Sequence, residues 1–188
     1  MKTIETVYSP SEDSDLLLST ILHEFKRSNF KKNSFLEIGC GTGYICLNYQ
    51  FFKKNKAKVT CVDLNKKAVE NTKMNAKENN LDVEIILSNL FENVTNTYDF
   101  IIFNSPYLNN KTNDIATEDI EVNNAIERYI NEVQKYLKNK GKAYILISTE
   151  NQKFEKYNQL LLNNHWKKIS EKNLFFEKLL VYILNNNI

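Results

Sequence analysis

Three of the chain's four glycines fall within five residues, Gly39, Gly41 and Gly43, in the segment FLEIGCGTGYI. The segment opens as an apolar run and leads into residues at helical spacing, so the glycines occupy a strand-to-helix turn. Glycine takes positive φ at little steric cost and carries no Cβ. Such a turn lets the main chain approach a ligand closely, while the first N–H groups of the helix remain free to bind it. A plain tight turn would satisfy the spacing equally well, and two carboxylates argue for a nucleotide-like ligand instead. Glu37 stands inside an otherwise apolar strand, where a carboxylate is costly to bury without a partner. Asp63 ends the next β-branched run about 20 residues later, where a carboxylate can accept both hydroxyls of a ribose. The dinucleotide fingerprint needs G-x-G-x-x-G, and here the third glycine comes one residue early, which argues against a nicotinamide cofactor.

Short apolar or β-branched runs at 34–39, 58–63, 83–87, 98–104 and 142–148 alternate with helical stretches at 44–53, 65–78 and 122–137. Near-continuous apolar runs suit strands buried on both faces of a parallel sheet, and the alternation argues for an α/β fold with right-handed crossovers. The last third differs: a helix over 150–163 precedes two strand-like segments at 166–171 and 177–184. No repeat or linker interrupts the pattern, so 1–188 reads as one domain, with 1–30 as an N-terminal segment and helix and 34–188 as the core sheet.

The net charge is +2, from 25 basic and 23 acidic residues. The broad basic field of a stand-alone duplex binder is absent, and the run Lys53, Lys54, Lys56 and Lys58 reads as a solvated helix end. Cys40, Cys46 and Cys61 lie in or beside apolar runs without metal or redox spacing, as small buried hydrophobes in a reducing compartment. His23 and His165 have no partner at ligand spacing, so no metal is expected. The acidic N-terminal region does not read as a signal peptide, which points to the cytoplasm or nucleus.

The fourth strand ends in Asn104-Ser105-Pro106-Tyr107. Ligands of open α/β sheets bind outside the carboxyl ends of the strands, so this tetrapeptide should face the same crevice as the glycine turn.

Asn104 to Tyr107 resembles the N-P-P-Y motif of amino-methyltransferases, with Ser105 in place of the first proline. Glu37 to Gly43 resembles their cofactor motif E/D-x-G-x-G-x-G. The opening VYSPSEDSDLLL, Val7 to Leu18, is similar to the V-Y-x-P-x-E-D-T/S-x-L-L-L of the eukaryotic and archaeal HemK-like release-factor glutamine methyltransferases. The likeness extends through Ser88-Asn89-Leu90-Phe91, where that family usually has D-L-F, to KGKAYILIS and the closing hairpin.

This resemblance implies a seven-stranded Rossmann-like α/β sheet with its last strand antiparallel and helices on both faces. It implies S-adenosylmethionine as cofactor, with Ser14, Glu37, Gly39, Gly41, Gly43, Asp63, Asn89, Leu90 and Asn104 around it. Glu37 would meet the cationic methionine amino group, directly or through water, and Asn89 would sit near the adenine amino group. The substrate implied is the glutamine of the Gly-Gly-Gln segment of a class I release factor. A small zinc-binding activator subunit would make the protein a heterodimer by pairing with the third strand, which opens at Val83 and closes at Leu87.

An amide nitrogen is a poor nucleophile because its lone pair is delocalised. The Asn104 side-chain oxygen and the Ser105 carbonyl could accept both N–H groups and aim the nitrogen, with Tyr107 stacked on the flat acceptor. Serine at 105 frees φ relative to proline, which predicts a looser acceptor pocket. The alternatives are a DNA or RNA adenine-N6 or cytosine-N4 methyltransferase, for which a recognition domain and a basic aromatic cleft are missing, and a cofactor-binding subunit without catalysis.

Overall fold

The computed structural model describes residues 1–27, 33–54, 56–106 and 118–186. Seven strands form one sheet: β1 (Ser34–Ile38), β2 (Lys58–Asp63), β3 (Glu84–Leu87), β4 (Tyr98–Asn104), β5 (Leu137–Ser148), β6 (Lys167–Asn173) and β7 (Lys178–Asn185). Their order is β3-β2-β1-β4-β5-β7-β6, with β1 to β5 parallel and β7 antiparallel to both neighbours. The helices are α1 (Glu12–Arg27), α2 (Tyr44–Phe52), α3 (Lys66–Glu78), α4 (Glu118–Glu132) and α5 (Phe154–Asn163).

Both faces of the central strands are covered, and the period of two along each strand sorts its side chains into two cores. Leu36, Ile38, Ile101, Phe103, Ala143 and Ile145 face α4 and α5, around Tyr129, Tyr157 and Trp166. Phe35, Phe100, Ile102, Tyr144 and Leu146 face the other way, against Leu17, Ile21 and Phe25 of α1 and Ile45 and Tyr49 of α2. The seven strands, the antiparallel last strand and the helices on both faces agree with the sequence-based expectation.

Element ends differ where local chemistry intervenes. The stretch read as one helix over 122–137 is α4 followed by a 3₁₀ turn, Val133–Tyr136, and β5 starts at Leu137 instead of 142. The helix expected from 150 begins at Phe154, because Ser148 Oγ accepts the Glu150 N–H (3.0 Å) and Asn151 Oδ1 accepts that of Lys153 (2.9 Å), holding a turn in front of it. Cys40, Cys46 and Cys61 are buried free thiols, as predicted, and Trp166 lies in the core. His23 and His165 are exposed, and no His, Cys, Asp and Glu cluster of metal-holding geometry exists among the described residues. No helix among them is long and apolar enough to cross a membrane.

Candidate active site

The parallel register sets the site. Ile38 of β1 pairs with Phe103 of β4, so Gly39 and Asn104 leave neighbouring strands side by side. The point from which an added Gly39 side chain would start lies 3.6 Å from the Phe103 ring. The glycine turn and the Asn104 segment thus share one crevice, as the strand-end rule requires.

Gly39, Gly41 and Gly43 all take positive φ (68°, 54° and 80°). Gly43 is the N-cap of α2 and supplies no side-chain cap, so that apart from the Cys46 N–H, which Glu37 takes, the helix N-terminus is open to a polar ligand. No atom lies within 4 Å of where a Cβ on Gly41 would stand, so the turn is open there, as close approach of a cofactor requires. On its other side the turn is braced by α3: Thr72 Oγ1 donates to Gly41 O (2.9 Å) and Asn75 Nδ2 to Thr42 O (2.9 Å). Neither brace was evident from the sequence, since Thr72 and Asn75 read there only as part of a helix.

Asp63 Oδ2 accepts the Gly41 N–H and its Oδ1 that of Asn65, each at 2.8 Å. Burial raises its pKa against the lowering effect of these amide bonds. Each oxygen keeps a lone pair free for a ribose hydroxyl.

Glu37 is 2% exposed and points toward α2, where its Oε2 accepts the Cys46 N–H (2.9 Å). It therefore fastens the helix that carries the open N-terminus. Burial pushes its carboxyl from an ordinary 4.5 up to about 8. A raised folded-state pKa stabilises the fold fully below 4.5, and that stabilisation is lost as pH rises through about 8. In urea unfolding across this window, wild type should lose up to about 1.4 kcal/mol per pH unit relative to Glu37→Gln, whose uncharged amide keeps an acceptor for Cys46. Parallel pH profiles for the two chains would contradict this.

Asn104 is held by the N-terminal region. Its Nδ2 donates to Asp13 Oδ2 (2.9 Å) and lies 3.4 Å from Ser14 Oγ, while its Oδ1 is buried with no hydrogen-bond partner. A buried acceptor left unpaired costs roughly 1–3 kcal/mol, which marks it as a group awaiting a donor. Asp13, 2% exposed, was not singled out from the sequence; its only signal was its place in the PSEDS segment. Ser105 is buried, and both its N–H (3.3 Å) and its hydroxyl donate to Leu146 O. Proline could make neither bond, so the looseness expected from serine at this position is offset by anchoring to β5. Pro106 is exposed, and Tyr107 lies outside the described residues.

After β3, Leu90 adopts φ 51°, uncommon for a branched side chain, while Ser88 Oγ donates to its carbonyl (3.0 Å). Asn89 Oδ1 accepts from Arg128 of α4 (3.3 Å), which also meets Glu92 and Glu132. The N-terminal residues strap the site: Lys2 and Ile4 N–H donate to Asn75 and Asn71 of α3 (3.0 and 2.9 Å), and Tyr8 Oη reaches Asp13 (3.1 Å). The chain thus runs from behind the glycine turn to Asn104.

Residues 3–175 match the family model described as the methyltransferase small domain. The chain belongs to that family. It is a methyltransferase, and S-adenosylmethionine is its cofactor. It is 38% identical over 170 residues to a provisionally named protein N5-glutamine methyltransferase of Methanocaldococcus jannaschii, covering 85% of this chain and 81% of that one. It is 36% identical over 121 residues to a release factor glutamine methyltransferase of Agrobacterium fabrum, and 33% identical over 136 residues to a ribosomal RNA small subunit methyltransferase C of Buchnera aphidicola. The methyltransferase spans only 40% and 36% of these two bacterial relatives. In fold it is similar to a T. thermophilus 16S rRNA N2 G1207 methyltransferase solved with AdoMet and guanosine (TM-score 0.70, 18% identity, 94% of this chain and 44% of that one).

Proposed function

We propose that this methyltransferase transfers a methyl group to the side-chain amide nitrogen of a protein glutamine, the acceptor being the Gly-Gly-Gln segment of a class I release factor. The observation that carries this reading is the buried, unpartnered Oδ1 of Asn104 beside the glycine turn. An NH2 group supplies the missing donor. The names of the Methanocaldococcus and Agrobacterium relatives support glutamine as the source of that group.

In this reading Asn104 Oδ1 and the Ser105 carbonyl accept the two N–H groups of the acceptor. Two acceptors on one NH2 group orient its nitrogen and stabilise the positive charge that develops on it. The cofactor is held by the open turn of Gly39, Gly41 and Gly43, by Asp63 at the ribose, and by Ser14, Asn89 and Leu90 around its remainder. When bound it supplies a methyl on sulfonium sulfur, and transfer leaves the carbon–sulfur electron pair on sulfur and releases one proton from the acceptor nitrogen. Glu37 acts through α2, and its carboxyl is placed to ionise when a cationic group arrives.

The edge of β3 suits strand addition by a small activator subunit, since among the described residues β3 pairs only with β2 and carries Leu87, 48% exposed. With such a partner the working form is a heterodimer, acting where translation factors are, in the cytoplasm. The second reading, methylation of a nucleobase amino group, draws on the Buchnera relative's name.

One experiment separates the two. Release factor and ribosomal RNA are incubated separately with enzyme and labelled cofactor, with and without a candidate activator, and analysed by mass spectrometry. A gain of one labelled methyl group on the glutamine of Gly-Gly-Gln is expected; label confined to RNA would sink the proposal.

A further inference from the structure

We infer that Asp13 is a positioning residue that decides which way round the Asn104 amide faces, and so gives the acceptor pocket its polarity. This rests on the reading of Asn104 as the group that grips the acceptor.

An asparagine amide is nearly symmetric in shape, with a donor NH2 at one edge and an acceptor oxygen at the other, and packing alone hardly distinguishes its two orientations. Ser14 Oγ, 3.4 Å from Asn104 Nδ2, cannot choose between them, because a hydroxyl can donate or accept. An ionised carboxylate can only accept. With Asp13 Oδ2 2.9 Å from Asn104, the edge facing it must be the NH2, and the oxygen must face the pocket.

Asp13 is itself held rigidly. Its Oδ1 accepts the Ser14 N–H (2.6 Å) and the Tyr8 hydroxyl (3.1 Å), and Ser14 Oγ lies at 3.3 Å. Oδ2 is therefore the oxygen presented to Asn104. Asp13 lies in the first turn of α1, where the helix dipole favours a negative charge. That buried charge also polarises the Asn104 amide, making its free oxygen a better acceptor for N–H groups on a nitrogen that becomes cationic.

The arrangement makes Asp13→Asn an inversion instead of a simple deletion. The new amide keeps its oxygen on the Ser14 N–H and Tyr8 hydroxyl, so its NH2 faces Asn104. Asn104 then turns its oxygen inward and offers NH2 to an acceptor that also offers NH2. Combining D13N with N104D restores the polarity, because the NH2 at 13 donates to a carboxylate at 104 whose second oxygen faces the pocket.

Methyl transfer to release factor is measured for wild type, D13N, N104D, the D13N/N104D double variant and N104A, with cofactor affinity by calorimetry. The Asn104 side-chain NH2 is followed by ¹⁵N NMR, which needs no acceptor. The expected result is a kcat fall of about 10-fold or more in D13N, each 1.36 kcal/mol of lost transition-state stabilisation being tenfold. Cofactor Kd should stay within about twofold, since the inverted amide keeps its volume and the glycine turn and Asp63 are untouched. The double variant should be at least about tenfold faster than N104D alone, a coupling that independent sites do not show. A merely structural aspartate would give no such rescue. Wild-type kcat in D13N, a double variant no faster than N104D, or unmoved Asn104 NH2 signals in D13N each overturn the proposal. Full activity in N104A instead overturns the reading of Asn104 on which it rests.

Discussion

Replacing Asn104 by alanine is expected to lower kcat by about 10²-fold or more, the usual effect of removing one preorganised polar contact to developing charge. S-adenosylmethionine affinity should change by only a few-fold, because in the proposed reading the glycine turn and Asp63 hold most of the cofactor. Two features of Asn104 make the variant informative. Its Oδ1 is a buried acceptor without a partner beside the glycine turn, and its Nδ2 is the donor to Asp13 Oδ2. Alanine removes the first, relieving the cost of the unpaired oxygen, and leaves Asp13 with one fewer donor; these opposing effects of about 1–3 kcal/mol each should leave stability little changed beside the loss of rate. Stopped-flow or single-turnover transfer, calorimetric cofactor binding and urea unfolding distinguish the three quantities. An alanine variant with normal single-turnover transfer would remove Asn104 from the chemistry, whatever its stability.

Gly43→Ala should abolish most cofactor binding and weaken the fold as well. At φ 80° the new Cβ would stand 2.8 Å from Thr72 Cγ2 and 3.0 Å from Leu47 Cδ1. Thr72 cannot retreat freely, since its hydroxyl holds the Gly41 carbonyl and thereby the shape of the turn. The backbone strain alone costs on the order of 1–3 kcal/mol, and the displaced turn adds to it. Cofactor affinity is expected to fall by about 100-fold, equivalent to about 2.8 kcal/mol. Gly41→Ala is the matched control: its Cβ would meet nothing within 4 Å, so only the φ of 54° and the ligand side are affected. That variant should lose cofactor affinity with a smaller drop in thermal midpoint. Equal thermal losses for the two would show that packing against α3 is not what restricts Gly43.

Glycine spacing carried much of this in one dimension. Positive φ at 39, 41 and 43, the acidic end of β2 and an open helix start all follow from short-range rules. Strand positions were legible for the same reason, since runs buried on both faces must be apolar throughout. Element ends were less so at Ser148 to Phe154, where side-chain oxygens capture N–H groups and delay α5.

The direction of polar side chains was not legible. That Glu37 bonds the Cys46 N–H could not be read from the chain, because it depends on α2 packing over the face of β1 to which strand alternation turns the carboxylate. Serine at 105 promised a freer backbone, yet two bonds to Leu146 O anchor it, and that partner lies 41 residues away.

By itself the sequence determined the class of sheet, the glycine turn after β1 and the strand end that carries Asn104, because each depends on neighbours within a few residues. Only the tertiary structure decided that Asp13 meets Asn104, 91 residues on, and that Thr72 and Asn75 brace the turn from α3. Those contacts arise when strands β1, β2 and β4 set their ends side by side and α1 and α3 pack across them. A hydrogen bond between distant residues depends on that packing and leaves no periodic trace in the chain.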